Sequence, residues 1–219
     1  YTNLFEKAEY KIDSYEAIEK RILANYDELM FHEKWILSRL RNISDTVIEG
    51  MEKYNFSEVG IELQNFTRNE FCDYYIEEFK ITRETSKLGN DVIMYAINNI
   101  LKLWHPYIPF VTEELWNKIG FEGKIIEANY SKVAVQADKE IEKDKQIIIE
   151  VIKEIRNLRA ENNIMPSNPI KLLLKVKKAK QDLFNEENLS IISGIVRSED
   201  TQLVSKVEND DLVYAVTKS

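Results

Sequence analysis

The sequence is poor in residues that cross-link or punctuate a chain. Cys72 is its one cysteine, so neither a disulfide framework nor a thiolate zinc cluster is available, and a reducing, cytoplasmic setting is expected. Six glycines and four prolines among 31% charged residues exclude a turn-rich sandwich and a disordered tail, and leave a helix-rich globular protein. No apolar run approaches the ~20 residues of a membrane span. The opening "YTNLFEKAEYKID" lacks the basic-then-apolar pattern of a signal peptide, and it lacks an initiator Met, so a piece of a longer protein is expected. Positive charge is also short: 30 Lys+Arg against 38 Asp+Glu give −8, which argues against indiscriminate nucleic-acid binding. Gly-rich phosphate loops, the H-E-x-x-H pattern and a serine elbow are all missing.

What is present is helical periodicity. With 44% apolar residues, the chain can bury a sizeable core, in one large or two small domains. Ile36, Leu40, Ile43, Val47, Met51 and Tyr54 step by three or four and predict a long first helix. A second is expected from Ser57 as its cap to about Lys80. Its inward residues Val59, Leu63, Phe66, Phe71, Tyr75 and Phe79 form a drifting stripe. Asn90 is expected to cap a third helix carrying Val92, Ile93, Ala96, Ile97, Ile100, Leu101 and Trp104. That helix must stop before Pro106. Thr112 is expected to cap a short fourth helix with Glu113 and Glu114 in its first turn.

After Gly120 the texture changes. A helix is predicted from about Asp138 to Asn162, then a strand in "IKLLLKVK", where Leu172, Leu174 and Val176 alternate with Lys171, Lys175 and Lys177. An amphipathic helix from about Asp182 to Val196 follows, then a hairpin formed by "TQLVSKV" and "DLVYAV". The fold class is therefore mainly α: a helical bundle over residues 1–120, then a linker, a long helix and a small α/β module over 121–219.

Within "LWHPYIPFVTEELW" (103–116), Pro106 and Pro109 stiffen a joint between two helices. Trp104, Phe110 and Trp116 are expected as core plugs, and His105 belongs to the joint rather than to catalysis, having neither nucleophile nor carboxylate at a telling spacing. Glu70, Asp73 and Glu77 share a helix face, but without the paired Glu-x-x-His of di-iron bundles no metal site is expected. Arg39, beside Trp35, is expected to pair with Glu70 or Asp73 across the bundle. Cys72, among Phe71, Tyr74 and Tyr75, is expected to be a small buried side chain. "KLLLKVKKAK" at 171–180 holds five lysines and no acid, a local basic patch in an acidic chain.

Four stretches, "WILSRL" (35–40), "EFCDYYIEEFK" (70–80), "LWHPYIPFVTEELW" and "IRNLRAENNIMP" (155–166), resemble in order and separation the C-terminal region of valyl-tRNA synthetases. The leucyl and isoleucyl relatives share the proline joint but usually carry Ala where this chain has His105, and they lack a close match to "EFCDYY". Trp104 and Tyr74 depart mildly from the pattern, where Leu and Trp are common. "TSKLGN" at 85–90 superficially echoes the ATP-phosphate loop of class I synthetases, but it joins two bundle helices and lacks the first Lys of that pattern.

The resemblance implies a class I anticodon-binding bundle that partners tRNA(Val) and the catalytic body of the same polypeptide, with no membrane association. It implies no catalytic site and no cofactor in this region, ATP and Mg serving the parent ligase. Anticodon recognition of this kind uses splayed bases with Lys and Arg on the flanking phosphates. The candidates are Lys34, Arg41 and Asn42 near the start of the first helix, Lys80 and Arg83 at the end of the second, Arg156 and Arg159 in "IRNLR", and Lys171, Lys175 and Lys177. Arg156 and Arg159 share a helix face and either meet tRNA or brace the bundle against the catalytic body of the same polypeptide. A leucyl- or isoleucyl-type ligase region and a helical interaction module without an RNA role remain the alternatives.

Overall fold

The computed structural model describes residues 13–130 and 132–205. It forms two compact units: the first holds the chain up to Tyr75 together with Thr85–Ala137, and the second holds Ile76–Glu84 and the chain from Asp138 onward. The "DLVYAV" arm of the expected hairpin lies outside the described residues.

The first unit is helical. Its helices are α1 (Tyr15–Ala24), α2 (Phe31–Glu52), α3 (Phe56–Asn65), a π-helical continuation (Phe66–Tyr75), α5 (Gly89–Trp104) and α6 (Pro109–Ile119); α4 (Ile76–Thr82) belongs to the second unit. Helix α1 was not among the sequence expectations. Ser14 caps it by accepting from the Ala17 amide, and it buries Ile18 and Ile22, one turn apart. The drifting stripe is explained by the π segment. Phe66 and Phe71, five residues apart, are both buried because π turns bond i to i+5, and the wider turn brings Phe71 and Tyr75 back to the core.

Three expected caps move. Helix α3 begins at Phe56, so Ser57 lies inside its first turn. Helix α5 begins at Gly89, with Leu88 before it, so Asn90 is a helical residue. Helix α6 begins at Pro109, whose missing N–H costs nothing at a helix start. Thr112 is consequently a buried first-turn residue, its hydroxyl bonding back to the Ile108 carbonyl at 3.1 Å.

The texture change at residue 120 falls inside the first unit. Gly120 adopts φ 91° and closes α6, and Ile125 then returns to pack on Leu101 and Trp116. The Trp116 indole donates to the Gly123 carbonyl at 3.2 Å, which ties this returning segment down.

In the second unit, α7 (Lys139–Glu161) is capped by Asp138, whose carboxylate accepts from the Glu140 and Ile141 amides. Strand β1 (Ile170–Leu174), helix α8 (Glu186–Val196) and strand β2 (Ser198–Leu203) make a β-α-β unit, with Ile170 opposite Ser198 and Leu174 opposite Leu203 in a parallel pair. The "TQL" run therefore pairs with β1 across a helical crossover, the connection that parallel strands require. α4 packs on α8, and α7 packs on α8 as well. Among the described residues no helix is long and apolar enough to cross a membrane.

Candidate nucleic-acid interface

In the first unit the cationic candidates are engaged locally. Arg41 donates to the Asp45 carboxylate at 2.7 Å and to the Val133 carbonyl at 3.0 Å. Lys34 donates to the Asp27 carbonyl at 3.1 Å and lies over the Tyr26 ring, while Asn42, half-buried, accepts at its carbonyl from Thr46. Arg39 forms a two-pronged pair with Glu70, at 2.6 and 2.9 Å, on the partly exposed side of α2. Trp35 is buried beside it, and Cys72 is only half-buried.

The proline joint is held by polar contacts as well as by its rings. His105 Nδ1 lies 2.7 Å from the Thr112 hydroxyl, the Trp104 indole donates to Thr67 at 2.9 Å, and the Tyr107 hydroxyl donates to the Phe56 carbonyl at 2.7 Å. Trp116 is a core residue and Trp104 is half-buried. Phe110 corrects the expectation of a core plug: it is 90% exposed, because the helix start at Pro109 turns Thr112 and Trp116 inward and leaves Phe110 on the outer face.

In the second unit, candidates that are far apart in sequence converge. A cavity of about 290 Å³ is lined by Lys80 of α4, Arg156 of α7 and Arg197 just after α8, with Glu77 beside them over a floor of Ile81, Gly194 and Ile195. Lys80, Arg156 and Arg197 are exposed, and Lys80 lies 2.6 Å from Glu77. The close approach of the two helices depends on Gly194, where a Cβ would stand 2.6 Å from Ile81 Cδ1. Arg197 holds a left-handed conformation (φ 53°), uncommon for a side chain of its size, and its carbonyl accepts from the Ile170 amide to start the sheet. Arg83 is half-buried at the end of α4. Glu70 and Glu77 each face a cation.

Arg159 is a correction. It does not share an outward face with Arg156 but is buried, its guanidinium donating to the carbonyls of Val196, Met165 and Asn168 at 2.9, 2.5 and 2.6 Å. It braces the second unit from within. Lys171, Lys175 and Lys177 are all exposed, but only Lys171 lies within β1, which ends at Leu174 as the chain turns toward a 3-10 segment over Lys178–Phe184. Lys145 of α7 and Glu78 of α4 form an ion pair that is almost wholly buried. Burial raises the Glu78 carboxyl and lowers the Lys145 ammonium, each against the attraction of the other.

Among the described residues no His, Cys, Asp and Glu group could hold a metal. Residues 33–175 match the family described as the anticodon-binding domain of tRNA ligase. The chain belongs to that family. It is similar to the valine–tRNA ligases of Streptococcus thermophilus (35% identical over 192 residues, 84% of this chain and 21% of that one) and Geobacillus kaustophilus (37% over 152, 66% and 17%). It is also similar to that of Listeria monocytogenes (34% over 208, 85% and 23%). The chain thus spans about a fifth of the length of the curated relatives it matches, and its likeness is to a C-terminal region of valyl-tRNA synthetases.

Proposed function

We propose that this chain is the tRNA-binding region of an ATP-dependent valine–tRNA ligase, engaging the anticodon arm of tRNA(Val) in the cytoplasm while ATP and Mg serve a catalytic body elsewhere in the polypeptide. The observation that carries the reading is the family match over residues 33–175, which runs through both units. Its contribution is positioning: a helical scaffold presents cations to phosphates and brings the anticodon bases within reach, so discrimination between tRNAs adds to the specificity of the distant chemistry. The valine assignment rests on the relatives' names and on the His105 joint.

The test is aminoacylation by the full-length polypeptide carrying this chain. Valine should be charged in preference to isoleucine and leucine, and tRNA with a replaced valine anticodon should lose at least tenfold in kcat/KM. Equal charging with isoleucine or leucine would replace the valine reading. Indifference to the anticodon would leave a structural module.

A further inference from the structure

We propose that the cavity between α4, α7 and the end of α8 is a binding site for one phosphate of an RNA backbone, with Arg197 as a contact that the sequence patterns did not single out. The inference rests on the tRNA-binding reading and names the ligand chemistry of one place within it. Lys80, Arg156 and Arg197 come from three separate elements and meet at one concavity, in a chain whose net charge is −8. Glu77 is the acid among the lining residues, and Lys80 already lies against it. An anion is the ligand that such a site favours, and planar guanidinium groups suit phosphate oxygens in particular.

The floor decides between phosphate and base. It is aliphatic, from Ile81 and Ile195, and holds no aromatic ring on which a base could stack. The volume, about 290 Å³, lies at the lower end of ligand cavities, at ~300 Å³, enough for a phosphate and part of its ribose but not for a run of nucleotides. The site therefore positions the RNA and does not read it.

Arg197 marks the site as built. A helix ending in a left-handed residue ordinarily places Gly there, and a long side chain in that conformation is strained. Replacing Arg197 with Gly would relieve the strain and remove the cation, which separates binding from folding. Glu77 opposes the ligand, so Glu77→Gln should strengthen binding.

The measurement is affinity of the full-length ligase for a tRNA(Val) transcript over a salt series. Each phosphate neutralised contributes ~0.9 to the slope of log affinity against log salt. Because the three cations share one phosphate, Lys80→Gln, Arg156→Gln and Arg197→Gln combined should lower the slope by about one unit, and Arg197→Gly should weaken binding with an unchanged or raised melting temperature. Glu77→Gln should tighten binding at low salt. A triple variant parallel to wild type, with the anticodon dependence intact, overturns the site and leaves the tRNA reading standing. A loss of about three units means three separate phosphates and overturns the single-phosphate site. Loss of the anticodon dependence in the wild type overturns the reading itself.

Discussion

Arg41 and Arg156 stand on helices of nearly equal length, 22 and 23 residues, yet their surroundings differ. Arg41 is turned onto Asp45 and the Val133 carbonyl, inside its own unit. Arg156 is exposed at a cavity shared with two further cations. The same contrast holds for the ion pairs. Arg39 and Glu70 in the first unit keep about a third and a quarter of their side-chain surface exposed, whereas Lys145 and Glu78 in the second are sealed at 1% and 0%. The first unit holds Arg39 and Arg41 as partly exposed braces around an apolar core. The second buries a charge pair and gathers other cations outside it, so its stability and its surface chemistry rest on neighbouring residues of α4 and α7.

The largest expected effect breaks the buried pair. Lys145→Met leaves Glu78 enclosed without its cation, its second oxygen lacking a hydrogen-bond partner among the described residues, and should cost about 3–5 kcal/mol in urea unfolding. Adding Glu78→Leu should restore most of the loss; a double variant as unstable as the single one would show that the pair is not what Lys145→Met disrupts.

Gly194→Ala comes next. The added methyl would meet Ile81 Cδ1 at 2.6 Å and should cost about 1–3 kcal/mol, with partial rescue by Ile81→Val. Arg39→Ala sharpens the comparison, since a pair this exposed should yield only about 1 kcal/mol, read as a small shift in melting temperature. A loss as large as that of Lys145→Met would erase the distinction between the units.

The last expected effect is a pH trend in the first unit. Burial lowers the Lys102 ammonium to about 8, partly offset by Glu16 and Glu19, and the group lies 4.0 Å from the centre of the Tyr15 ring. Its folded pKa is depressed, so from about pH 8 upward the unfolded chain binds more protons and stability rises with pH. Tyr15, pushed up to about 12 by burial, reverses the trend only above its ordinary value near 10. Unfolding free energies between pH 8 and 10 should climb in the wild type and flatten in Lys102→Met.

The helices were legible because their stripes repeat, whereas the π segment showed in the sequence only as a drift of the stripe, the five-residue step from Phe66 to Phe71. Their starts were harder to place. Ser57, Asn90 and Thr112 have capping side chains, yet Asn55, Leu88 and Ile108 hold the caps without side-chain bonds, since a proline or tertiary contacts can fix a helix start unaided. The buried pair left a readable signal: Lys145 falls on the apolar stripe of Ile141, Ile148 and Ile152, where a charge requires a partner. Arg159 left none, because it is held by main-chain carbonyls, of Met165 and Asn168 just after α7 and of Val196 at the end of α8, which carry no side-chain pattern. The cavity was half legible, through Lys80 and Arg156. Arg197 was not, because its role depends on a left-handed turn and on the Gly194 approach, neither of which has a period.

The most direct test of the contrast between the units is amide hydrogen exchange of the full-length polypeptide with and without tRNA(Val). Added protection should appear at the C-terminal turn of α8 through Arg197 and at the end of α4, with little change at the start of α2 around Lys34 and Arg41. Protection confined to α2, with residues 194–197 exchanging as in the free protein, would contradict the account.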